Sequence, residues 1–178
     1  EHKATIASET FAAVSAGITS VVVQPDTSPV INTPAEVELI QQKNKAAGHC
    51  HVYVIGALTQ DLNGSLLSEM AALKEAVVVG VSNCLAPLAS SLVLRRAMEY
   101  ASSQELTLFL HPIDHDLAGK GCVHEGMTAT RMGLSGIPSA AETAAVDSSL
   151  ALIEQTGVRV HFCRISTQRT LQLLERAK

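Results

Sequence analysis

The chain has 178 residues, 47% hydrophobic and 17% charged, with 13 Lys+Arg against 17 Asp+Glu. Its length and aliphatic content support a core of ordinary size and exclude disorder. The net charge of −4 gives no electrostatic footprint for nucleic acid or an anionic membrane.

The chain opens on Glu1 rather than Met, reads as helix by Ala4, and stops on a helix end at Lys178. Both ends read as cut from something longer. Five near-continuous apolar runs follow one another: Ile18–Val23, His51–Ala57, Ala76–Val81, Leu106–His111 and Val158–Cys163. Such runs suit strands of a parallel sheet buried on both faces. Between them lie helices with readable ends. Thr33-Pro34-Ala35-Glu36 combines an N-cap, Pro at the first position and Glu three after the cap, a capping box. Ser139-Ala140-Ala141-Glu142 repeats that logic and opens a long helix to about Thr156, with Gly157 as its C-cap. Further helices are expected over Ser65–Glu75, Leu88–Ser103 and Thr167–Lys178, and a long loop over Pro112–Cys122. The pattern is α/β, about five parallel strands alternating with helices. It closes either as an open doubly wound sheet or as part of a (β/α)8 TIM barrel. Residues 1–178 contain no linker and form one unit.

Cys50, Cys84, Cys122 and Cys163 form no C-x-x-C pair, which points to reduced thiols in a cytoplasmic protein. No apolar run approaches the roughly 20 residues needed to span a bilayer. Dinucleotide, P-loop and nucleophile-elbow fingerprints are absent from the sequence.

Ligands of parallel α/β folds bind at the C-terminal ends of the strands. The residues just past the five runs make a polar rim holding one His, one Cys and one Arg: His111, Cys84 and Arg164. A hydrolytic zinc site needs several converging His and carboxylates, which this rim lacks. His49-Cys50-His51 has chelating spacing but lies at a strand start, where a surface or packing role carries more weight. Arg164 suits either an anionic ligand or a salt bridge.

Several stretches taken together resemble the dihydroorotases of the amidohydrolase superfamily. They are Val23–Val30, Ile55–Thr59, Glu69–Ala76, His124-Glu125-Gly126, Arg131–Pro138 and His161–Thr167. The Gly-Leu-x-Gly-Ile-Pro stretch and the His-x-x-x-Ile-Ser-Thr stretch, in this order, make the likeness specific. It implies a (β/α)8 barrel with a zinc site that hydrolyses the cyclic amide of dihydroorotate in pyrimidine synthesis. It also implies departures. The H-x-H of the first strand would precede Glu1, and the catalytic Asp would follow Lys178. Asp26 replaces a substrate-binding Asn. Asn83, Cys84 and Leu85 replace the acidic metal-site stretch, and Arg164 replaces a metal histidine. Of the ligand positions covered, His111 alone is retained. A guanidinium cannot ligate zinc and repels it.

This pattern resembles the noncatalytic dihydroorotase-like subunits that associate with aspartate transcarbamoylase. The expectations are therefore a pseudoenzyme with no metal or other cofactor, a homo-oligomer, and aspartate transcarbamoylase as partner. The alternative is an active zinc-dependent dihydroorotase or related cyclic amidohydrolase. A full barrel takes roughly 250 residues, so the chain reads as an interior piece carrying the second to sixth strands of eight.

Overall fold

The structure is a computed structural model describing residues 4–178. Helix α1 (Ile6–Ser15) starts at Thr5, whose side chain exchanges hydrogen bonds with Ser8 in a capping box. Four strands then alternate with helices: β1 (Ser20–Val23), α2 (Pro34–Ala47), β2 (His51–Ala57), α3 (Met70–Glu75), β3 (Gly80–Ser82), α4 (Ser91–Ser103) and β4 (Thr107–Leu110). An excursion follows, made of α5 (His115–Ala118), β5 (Val123–His124), α6 (Met127–Arg131) and β6 (Gly136–Ile137). The chain returns through α7 (Ser139–Thr156), β7 (Val160–Phe162) and α8 (Gln168–Ala177).

The main sheet has the order β1-β2-β3-β4-β7, parallel throughout, and curls into a half-barrel open at β1 and β7. Strand alternation divides its side chains between two faces. Val52, Val54, Val81 and Leu108 turn toward the helices and pack with Leu73, Ala97, Met98 and Ala101. Full burial of a side chain such as Leu73 or Leu108 contributes about 1.5–3 kcal/mol. On the concave face the register aligns Val22 with Tyr53, Ser82 with Phe109, and Phe109 with His161. The rings of Phe109 and His161 lie 5.2 Å apart. Gly80 is required beneath Phe109: a Cβ there would fall 2.3 Å from the Thr107 carbonyl oxygen and 2.6 Å from the Phe109 ring. Val22 and Tyr53, on the β1 side of that face, remain 49% and 46% exposed, whereas Ile55 and Ala57 further along β2 are buried.

The capping box at Thr33 forms as expected. The Glu36 carboxylate accepts from the Thr33 N–H at 2.8 Å, and Gly48 closes α2 at φ 68°. Gly157 likewise closes α7 at φ 66°.

Other expectations are corrected. The third strand begins at Gly80, because Ala76–Val79 closes α3 and turns, with Val77 at φ 66°. Helix α3 begins at Met70, not Ser65, because Asn63 Oδ1 gathers the Ser65 and Leu66 N–H groups into a turn. Helix α4 begins at Ser91, not Leu88, since Ser90 Oγ accepts from the Val93 N–H. The Pro112–Cys122 loop contains α5, capped by Asp114. At α7 the N-cap is Pro138, without a side-chain bond, and Ser139 is already helical. Glu142 is used elsewhere, as described below. Among the described residues no helix is long and apolar enough to cross a membrane.

Candidate functional site: the mouth of the half-barrel

The C-terminal ends of β1, β3, β4 and β7 converge on a cavity of about 100 Å³ lined by Gln24, Asp26, Ser82, Cys84, His111 and Arg164, among others. Four of the five residues singled out from the sequence thus meet in one place. Asn83 does not line this cavity.

Cys84 follows β3 with φ 52°, and its N–H donates to Ser82 Oγ at 3.0 Å. Its Sγ faces Gln24 Oε1 at 3.8 Å. Burial, then the negative charge of Asp26, pushes the thiol up to about 11. A neutral thiol is a poor nucleophile and a poor metal ligand.

His111 extends from the end of β4. Its Nδ1 is buried and has no hydrogen-bond partner among the described residues. Burial, then the Arg164 guanidinium and His115, holds its pKa below the ordinary range, while Glu142 pulls weakly the other way. The imidazole is therefore neutral at pH 7.

Arg164 follows β7 with φ 60° and is exposed. Few L-residues take this conformation, because the Cβ crowds the following carbonyl. Among the described residues the side-chain ion pair is Arg95–Glu99 on α4, so no carboxylate neutralises Arg164.

Asn83 is 5% exposed and turned into the rim wall. Its Oδ1 accepts from the Thr59 hydroxyl at 2.6 Å, and its Nδ2 donates to the Ala86 carbonyl at 3.0 Å. Thr59 Oγ1 in turn accepts the Gly64 N–H at 2.9 Å. Asn83 thereby ties the loop after β2 to the loop after β3. His51 opens β2, and His49 meets Phe11 edge to face with ring centroids 5.4 Å apart. That pair lies at the strand start, away from the mouth.

Sequence reasoning missed Glu142. Its Oε2 accepts from the Ser166 N–H and hydroxyl at 2.9 and 2.7 Å, and its Oε1 from the Thr167 N–H and hydroxyl at 3.0 and 2.7 Å. Burial alone would push this carboxyl up, but donors on Thr167, Ser166 and Thr170 outweigh it and hold it at about 2. His124 Nε2 reaches Ser166 Oγ at 3.2 Å. No signal in the linear sequence links position 142 to position 166.

The fit of this mouth to a zinc ion follows from its donors. The orphaned Nδ1 of His111 suits a metal bond. Yet among the described residues no three His, Cys, Asp or Glu side chains come together to hold one. The same cavity adds the single carboxylate of Asp26, the protonated thiol of Cys84 and the guanidinium of Arg164. Three or four ligands are needed, so the residues present do not fit zinc.

The Dihydro-orotase-like family matches residues 1–170. The chain is 45% identical over 177 residues to a dihydroorotase-like protein of Pseudomonas aeruginosa, covering 99% of the chain and 42% of that protein. It is 42% identical over 178 residues to a dihydroorotase of Anaeromyxobacter sp. strain K, covering all of the chain and 41% of that protein. The chain thus spans about two-fifths of the length of these relatives. The L-hydantoinase (dihydropyrimidinase) of Arthrobacter aurescens superposes with TM-score 0.72 at 19% identity, over 94% of the chain and 39% of that structure. The dihydroorotase of Saccharomyces cerevisiae in complex with 5-fluoroorotic acid gives 0.67 at 16% identity, over 94% and 46%. The fold is thus that of the TIM-barrel amidohydrolases, and the chain belongs to the dihydroorotase-like family.

Proposed function

We propose that this chain is part of a cytoplasmic dihydroorotase-like protein of pyrimidine biosynthesis that has lost catalysis and acts as a structural partner of aspartate transcarbamoylase. The observation that carries the reading is Arg164. A fixed positive charge faces the mouth beside His111, where the resemblance places a second metal histidine. A cation there opposes a metal ion instead of binding it. Asn83, committed to Thr59 and Ala86, adds to the loss. The partner rests on the resemblance to noncatalytic subunits.

The decisive experiment uses the full-length protein. Zinc is measured by plasma mass spectrometry and turnover by hydrolysis of dihydroorotate. The expected result is zinc below about 0.1 per chain and no turnover, both in the natural protein and in Arg164→His. Stoichiometric zinc with turnover overturns the reading. Co-elution with aspartate transcarbamoylase is expected on a sizing column, and separate elution at every salt concentration counts against the partner.

The second reading is an active zinc-dependent dihydroorotase that draws its other ligands from beyond this stretch. The buried, unpartnered Nδ1 of His111 favours it, since such an atom ordinarily has a partner.

A further inference from the structure

We infer that Glu142 is a positioning residue that presents Arg164 to the mouth by clamping the turn between β7 and α8. The inference rests on the reading of Arg164 given above. It begins from the backbone of Arg164, whose φ of 60° is uncommon for an L-residue and persists only where the surroundings impose it. No ion pair fixes the side chain among the described residues, so the location of the guanidinium follows from the backbone that carries it.

Both ends of that turn are pinned. On the strand side the Cys163 N–H donates to the Leu110 carbonyl at 2.8 Å, which fixes the end of β7 beside β4. On the helix side the Glu142 carboxylate takes two donors from Ser166 and two from Thr167, one residue on each oxygen. Thr167 is also the N-cap of α8, accepting the Thr170 N–H at 3.2 Å. Only Arg164 and Ile165 lie between the two anchors. A third strut comes from the excursion. Ser166 gives its hydroxyl proton to Glu142, so its oxygen accepts from His124 Nε2–H. Glu142 makes none of these bonds within its own helix, whose N-cap lacks a side-chain bond. Its carboxylate serves the neighbouring turn.

The test compares the full-length natural protein with Glu142→Gln. Readouts are hydrogen exchange at the Ser166 and Thr167 amides and site-resolved alkylation of Cys163, with Cys122 as internal control. Gln keeps one acceptor oxygen and turns a donor toward the other pair of donors. Exchange at both amides and alkylation of Cys163 are expected to accelerate by about tenfold, the change that loss of one or two such bonds gives. Cys122 is expected to stay within about twofold. Arg164→Gly added to Glu142→Gln is expected to bring exchange at the Ser166 and Thr167 amides back to within about threefold of the natural rate, because glycine takes φ 60° without strain; alkylation is not used for this comparison, since losing the guanidinium by itself raises the Cys163 thiol. A carboxylate that merely tied α7 to α8 would show no such rescue. Should Glu142→Gln fail to fold, Ser166→Ala removes one donor and is expected to give about a threefold acceleration.

Unchanged exchange at Ser166 and Thr167, or absence of rescue by Arg164→Gly, overturns the inference. Zinc content is measured on the same samples. Stoichiometric zinc together with turnover of dihydroorotate, the clamp being intact, refutes the loss of catalysis and leaves the clamp standing.

Discussion

Asn83→Asp returns a carboxylate to the position where the resemblance places an acidic residue, and this structure predicts that the change is costly. Asn83 is 5% exposed, with its Oδ1 on the Thr59 hydroxyl at 2.6 Å and its Nδ2 on the Ala86 carbonyl at 3.0 Å. An aspartate retains the first bond and loses the second. Its other oxygen then faces the Ala86 carbonyl, acceptor against acceptor. An orphaned buried carbonyl costs about 1–3 kcal/mol. Desolvating the new charge adds a comparable amount, giving roughly 2–6 kcal/mol of lost stability at pH 7. The pH dependence has a definite sign. Burial raises the folded-state pKa of the new carboxyl above its unfolded value of about 3.9. The deficit is therefore full above the folded-state pKa and shrinks as pH falls toward the unfolded value, because the protonated acid can donate to Ala86. Urea unfolding of both proteins at pH 7 and pH 5 measures it. A deficit below about 0.5 kcal/mol at pH 7, or one that fails to shrink at pH 5, would refute the assignment of Asn83 as a loop clamp.

Two further predictions concern the mouth and its wall. With its thiol at about 11, Cys84 is expected to react with iodoacetamide at pH 7 at least about tenfold more slowly than exposed Cys122, and Asp26→Asn to speed it. Faster labelling of Cys84 than of Cys122, read by peptide mass spectrometry, contradicts the burial and charge argument. Glu142, held at about 2 against an ordinary 4.5, contributes stability that is present above pH 4.5 and lost as pH falls toward 2. Full linkage at 1.36 kcal/mol per unit would give about 3.4 kcal/mol, and solvent screening of a partly exposed group reduces this to roughly 2. Glu142→Gln should flatten acid unfolding across that window, and an unchanged acid profile would exclude the carboxylate as its source.

The strand–helix alternation and the mouth were both legible in the sequence, because buried parallel strands leave continuous apolar runs. Thr33–Glu36, Gly48 and Gly157 were readable from local chemistry: caps involve residues a few positions apart. Ala76–Val79 misleads for a physical reason. Its β-branched residues read as strand, yet tertiary closure of α3 turns the chain at Val77, leaving that side chain 73% exposed. Asp26, Cys84, His111 and Arg164 could be placed together since each lies within three residues of the C-terminal end of a strand. Asn83 shows the limit of that logic, because one residue of difference along the chain turns its side chain into the wall. The Glu142 clamp spans 24 residues, and Ser139–Glu142 had a plausible local use that competed with it. Bonds of that range depend on how α7 and α8 pack, which no local pattern encodes.

Asp26 and Arg164 border the same small cavity, although they follow the first and last strands of a five-stranded sheet. Laid flat, four interstrand spacings of about 4.8 Å would separate those strands by about 19 Å. The curl of the sheet, with the short loops after β1 and β7, brings the two opposite charges to one opening. Their separation therefore acts as a strain gauge for the sheet: any partner or bound group that unbends it by a few degrees per strand pulls the carboxylate and the guanidinium apart, and any that tightens it drives them together.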